Sequence, residues 1–209
     1  MNRDTTINTK DVVRDLGVYF DTELSMKQHI AKVAAVCFYH IRHLRQIRRR
    51  VGQAVTTRLV LAMITSRLDY CNSVLAGLPQ STLEPLQKVQ NTAARLIFNL
   101  SHYDHISPCL MQLHWLPVRA RVQYKLCSLM YGVHNNRCPS YISDIVQSTK
   151  TESLRSIPSQ AAFKRQLKTF LFCDAFNVVY DEPWLFYIAL YVCNAPMVFY
   201  YVMGALANF

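Results

Sequence analysis

The sequence predicts an all-α protein: a helical bundle with a short N-terminal β-strand and a hydrophobic C-terminal helix. Three observations carry this. Apolar residues recur at intervals of three and four through most of the chain, which draws stripes down successive helices. Hydrophobic residues make up 51% of the 209 residues and Gly only 5, so the chain can bury a core and wholesale disorder is excluded. The alternating pattern of a strand occurs near the N-terminus, where Leu16, Val18 and Phe20 fall on one face of a strand over Val12–Phe20.

Each helix has its own signature. Ser25 to about Arg50 places Ile30, Val33, Cys37, Ile41, Leu44, Ile47 and Val51 on one stripe, and Gly52 ends it. Ala54 to Ala76 is apolar on most sides, as a central bundle helix is, and Gly77-Leu78-Pro79 stops it. With Arg58, Arg67 and Asp69 inside, it is a poor membrane span. Ser81 and Glu84 have capping-box spacing before a helix over Thr82–Leu100, whose stripe is Leu83, Leu86, Val89, Ala93, Leu96 and Leu100. Tyr103-Asp104-His105 reads as a turn, and Pro108 opens a short helix. Pro117 starts another over Val118–His134, burying Val122, Leu126, Leu129, Met130 and Val133 and turning Arg119, Arg121 and Lys125 outward. Residues 147–160 are a Ser/Thr-rich linker before a last helix over Ala161–Phe176.

Charge is unevenly spread. Residues 22–150 hold 16 Lys and Arg against 5 Asp and Glu, an excess of +11 in a chain of net +10. A basic helical body points to a polyanion, nucleic acid before anionic membrane. Five arginines fall within residues 42–50, more than a helix C-terminal dipole requires. The candidate phosphate contacts are Arg42, Arg45, Arg48, Arg49, Lys88, Arg95, Arg119, Arg121 and Lys125, all on polar faces of amphipathic helices. Tyr39, His40 and His43 add rings for stacking on single-stranded bases. Trp115 reads as a core anchor.

Several chemistries find no support. There is no adjacent Asp pair to hold two catalytic metals, and Asp15, Asp21 and Asp69 stand alone. No glycine-rich phosphate loop occurs, so no cofactor is expected. His102, His105, Cys109 and His114 are all zinc-ligand types, but their spacing matches no standard zinc site, and they are a weak metal candidate only. The seven Cys are irregularly spaced, without an N-terminal signal peptide, and read as reduced thiols in an intracellular protein.

The strings SRLDYCN (66–72), GLP (77–79), LEPLQKVQNTAARLIF (83–98) and DHISPCLMQLHWLPVRARV (104–122) follow one another in order. DLGVYFD at 15–21, HIAKVAAVCFYHIRHLRQIRR at 29–49, YKLCSLMYGVHNN at 124–136 and FKRQLKTFLF at 163–172 extend the series. Over about residues 11–176 this closely resembles the thumb and post-thumb region of non-LTR (LINE-class, jockey-like) retrotransposon reverse transcriptases.

The resemblance implies that 1–21 is a remnant of a polymerase-core edge strand and 22–146 a thumb-like helical domain that grips template–primer backbone. By the same resemblance, 161–176 is the family's C-terminal helix. The palm aspartates and endonuclease of such enzymes would lie upstream, so no catalysis is expected. The family carries an extra segment between Ser156 and Phe163 that is missing here, which leaves the packing of the last helix open.

Residues 184–209 resemble nothing in that family. They form a run of 26 uncharged residues with Asn194 and Pro196 near the middle, long enough at ~1.5 Å per residue to cross a bilayer. The functional expectation is a catalytically inactive reverse-transcriptase fragment that binds RNA or DNA backbone without sequence preference. The alternatives are a membrane-tethered interaction protein anchored by 184–209, or a decayed element product without selected function.

Overall fold

The computed structural model describes residues 12–135, 137–140, 142 and 159–178; most of the expected linker and all of the 184–209 run lie outside them. The described residues are mostly helical, with one short two-stranded antiparallel sheet at the N-terminal end.

That sheet corrects the expectation of a single strand. β1 (Val12–Asp15) pairs with β2 (Val18–Asp21), with Asp15 opposite Val18, so Leu16-Gly17 is a two-residue loop. Both loop residues have positive φ, 43° and 85°, as a type I′ hairpin turn requires. Leu16 therefore points into solvent, 82% exposed, rather than sharing a buried face with Val18 and Phe20. The Tyr70 hydroxyl donates to its carbonyl at 2.7 Å and ties the turn to the helices. Val18 is buried in the main core, which anchors the hairpin.

The Asp21 carboxylate accepts from the backbone N–H and hydroxyl of Ser25, each at 2.6 Å, and leads the chain into the first helix. The Ser25 hydroxyl holds its pKa below the usual value. α1 (Lys27–Val60) carries one non-helical residue, Gly52 (φ 74°, ψ 179°), at the expected stop. Ile30, Cys37, Ile41 and Leu44 of the expected stripe are buried; Ile47, near its end, is exposed.

The expected straight helix to Ala76 does not form. A π-helical turn (Leu61–Thr65) leads into α2 (Ser66–Asp69), and the chain breaks at Tyr70 (ψ 121°) and Cys71 (φ 49°). The break turns a 3-10 turn (Asn72–Leu75) onto a later helix, α5 (Val118–His134), and Leu75 is buried. Cys71 is thus at a bend, not inside an apolar helix.

α3 (Gln80–Phe98) begins straight after Pro79, whose extended ψ of 149° sets the start two residues before the expected Thr82. The expected capping box is absent: no side chain caps this end, and Glu84 instead pairs with Lys88 at 2.8 Å. α4 (Ser107–Gln112) has Pro108 in its first turn, as expected. α5 buries Val122, Leu126, Met130 and Val133, while Leu129 is half exposed, a correction to its expected stripe.

α6 (Gln160–Phe176) is capped by Ser159, whose hydroxyl accepts from the Ala162 N–H at 3.1 Å. It packs on α5 through Phe163, Leu167 and Leu171, all buried.

The core forms two clusters. One joins the hairpin, α1, α2, α3 and the start of α5; the other joins most of α5 to α6. Cys37 and Cys127 are buried in these clusters, and burial pushes their thiols up to about 11 and about 12, so both stay protonated and inert.

Candidate nucleic-acid interface

α1 and α3 make the largest helix–helix contact among the described elements. Where α3 ends, their facing surfaces leave a groove of about 580 Å³. Arg45, Arg48, Arg49 and Arg95 line it, together with Asn99 and His102, and no carboxylate does. Residues half the domain apart in sequence thus create one positively charged concavity.

The four arginines have different roles. Arg48 is half-buried and serves the fold. Its Nε donates to the Leu96 carbonyl at 3.1 Å and its Nη2 to the Ile97 carbonyl at 2.7 Å. These carbonyls belong to the last turn of α3, where helix carbonyls lack intrahelical partners and the dipole is negative. The arginine cluster therefore does serve a helix C-terminus, but that of α3. Arg48→Ala is expected to lower stability by about 2 kcal/mol, the scale of hydrogen bonds from a charged donor. Urea unfolding followed by circular dichroism reads this.

Arg95 is intermediate. Its Nη2 donates to the Asp104 carbonyl at 3.2 Å, and its buried Nε has no partner. Arg42, Arg45 and Arg49 are exposed, without an ion pair among the described residues. Their spacing of three and four sets them along one face of α1. Next to them the exposed Tyr39 packs edge-on to His43, with centroids 4.4 Å apart, and lies 5.5 Å from His40. Burial, then the charge of Arg67 and His43, holds His40 below its ordinary pKa, so this ring adds no charge to the face near neutral pH.

The other expected contacts lie apart from this groove. Lys88 is exposed and paired with Glu84; such surface pairs are worth about 0–1 kcal/mol and yield easily to a competing anion. Arg121 does not point outward. Its Nη1 donates to both Asp69 carboxylate oxygens at 2.9 and 2.7 Å, its Nε donates to the Leu116 carbonyl at 3.0 Å, and its guanidinium lies 6.0 Å from the Trp115 ring centroid. It joins α2 to α5, and its charge is neutralised. Trp115 is buried, the expected core anchor. Lys125 lines a second cleft, of about 510 Å³, with Lys168, His114, Asp69 and Arg121. Arg119 is exposed on the first turn of α5.

The four metal candidates do not assemble. His102 is exposed and sits edge-on to Tyr103, Cys109 is buried in α4, and His105 is exposed. His114 adopts a left-handed backbone (φ 52°) with its ring 6.0 Å from that of Phe172, rather than packing on Trp115. Among the described residues, no three His, Cys, Asp or Glu side chains are close enough to share a metal ion.

The fold and groove define a basic, mainly helical domain with an arginine-lined concavity. Comparison with known proteins finds no family model, curated protein or solved structure that matches this chain.

Proposed function

We propose that this chain binds RNA or DNA through the sugar–phosphate backbone, without catalysis, as a thumb-like segment related to non-LTR reverse transcriptases. The observation that carries the reading is the α1–α3 groove. Arg45, Arg49 and Arg95 converge there with no carboxylate in the lining, and Arg42 extends the positive face along α1. Guanidinium groups match phosphate oxygens bidentately and carry no base information, so binding is sequence-independent. Tyr39 and His43 add a ring surface for an unpaired base. The ordered series of resembling strings supports a thumb-like origin, and the lack of an Asp-Asp pair supports binding without polymerisation.

Ultraviolet crosslinking of the full chain to single-stranded RNA tests this. Crosslinked peptides are expected from residues 39–50 and 92–102; crosslinks confined to other segments would remove the groove from the reading.

A second reading rests on the uncharged run 184–209, which supports a membrane-tethered interaction protein. No helix among the described residues is long and apolar enough to cross a membrane, so this reading depends on that run alone. Retention in the membrane pellet after carbonate extraction supports it, and complete release removes it.

A further inference from the structure

A second basic concavity involves none of the expected contact residues. It lies between the β1–β2 hairpin and the α1 and α2 helices and encloses about 540 Å³, within the range of about 300–1,000 Å³ usual for small-ligand sites. Arg14 comes from β1, Lys32 from α1 and Arg67 from α2; Tyr19, Tyr70 and His29 complete the working walls.

Two features distinguish this cleft from a solvated basic surface. No carboxylate is among the cleft's lining residues, and none of the three cations has an ion pair among the described residues. Arg14 and Lys32 approach one ring, 5.5 and 5.9 Å from the Tyr19 centroid. Like charges collected in a concavity with low-dielectric walls focus a field that attracts anions.

Secondly, His29 is 5% exposed, and its Nδ1 has no hydrogen-bond partner. Buried polar atoms in folded proteins almost always have a partner, so His29 offers the cleft a hydrogen-bonding group that no protein atom uses. Burial holds the His29 pKa low, so the ring is neutral and offers one donor and one acceptor.

We propose that this cleft binds a phosphate monoester, as carried by a free nucleoside monophosphate or by the 5′-phosphorylated end of a strand. Arg14, Lys32 and Arg67 take the phosphate oxygens, and His29 takes a polar group of the attached nucleoside. A monoester carries about −1.5 to −2 charge at neutral pH and three strong acceptors, which suits three unpaired cations better than a singly charged backbone diester does. The cleft shares no lining residue with the α1–α3 groove, so it goes beyond backbone binding and stands or falls separately.

Calorimetric titration of the full chain with uridine 5′-monophosphate, inorganic phosphate and uridine tests this. The monophosphate is expected to bind and uridine not to. Arg14→Gln and Arg67→Gln, at exposed positions that leave the core intact, should each weaken binding at least tenfold. Two oligonucleotides differing only in a 5′-phosphate identify the source. A preference for the phosphorylated strand that Arg67→Gln abolishes assigns the site to strand ends; equal affinities with intact monophosphate binding assign it to free nucleotides.

No heat with the monophosphate at millimolar concentration, or affinity unchanged in both variants, overturns the proposal. Arg45→Ala with Arg49→Ala is the internal control. It should leave monophosphate binding unchanged, so that failure of the groove and failure of the cleft give different results.

Discussion

Replacing Arg42, Arg45 and Arg49 together by Ala is expected to weaken binding to single-stranded RNA on the order of 100-fold at low salt. The figure follows from about 1 kcal/mol for each lost solvent-exposed charge contact, with about 1.4 kcal/mol per tenfold change in affinity. All three side chains are exposed and free of ion pairs among the described residues, so their removal leaves the fold's hydrogen bonds in place. Helicity and the urea midpoint should stay close to those of the parent chain. The contrast with Arg48 makes the experiment informative. Arg48 lies in the same cluster and lines the same groove, yet its guanidinium is spent on the Leu96 and Ile97 carbonyls. Loss of binding on removing the exposed three, and loss of stability on removing the fourth, would separate grip from scaffold within eight residues of one helix.

The largest expected effect on stability comes from the other end of the molecule. Phe163→Ala is expected to cost about 3–5 kcal/mol, the range for deleting a buried aromatic ring. Phe163 is fully buried and stacks on Tyr131 with centroids 4.1 Å apart and ring planes 13° from parallel. Stacked pairs add about 0.5–1.5 kcal/mol beyond the buried area. Leu167 and Leu171 continue the contact along α6 one and two turns further on. Chemical unfolding monitored by circular dichroism measures this. A loss below about 1 kcal/mol would mean that α6 does not dock on α5.

Helical stripes were legible at most of their positions, Ile47 of α1 and Leu129 of α5 being exposed exceptions. The α3 positions Leu83, Leu86, Val89, Ala93 and Leu96 are all buried, and α5 starts where Pro117 indicates. The hairpin was not legible, because its turn is Leu16-Gly17 and Leu rarely takes positive φ; the tether that holds it there is Tyr70, 54 residues on. The break at Tyr70-Cys71 was equally hidden, since neither residue is a helix breaker and the turn is favoured by packing on α5.

The site divides in the same way. Sequence can find arginines on polar helix faces, but it cannot show that Arg48 meets the end of a helix 48 residues away, or that Arg121 meets Asp69, 52 residues back. The cleft cations Arg14, Lys32 and Arg67 were missed for a related reason. They are single charges on three elements, and only the fold gathers them.

The proposed phosphate grip by guanidinium groups without ion pairs is tested most directly by the salt dependence of RNA binding by the full chain, read by fluorescence anisotropy. Each phosphate neutralised on a single strand contributes about −0.7 to the slope of log affinity against log salt. Contacts from Arg42, Arg45, Arg49 and Arg95 therefore give a slope of about −3, falling by about 2 in magnitude in the triple Ala variant. Absence of binding at low salt by a folded, helical protein, or a slope unchanged by the three substitutions, would contradict it.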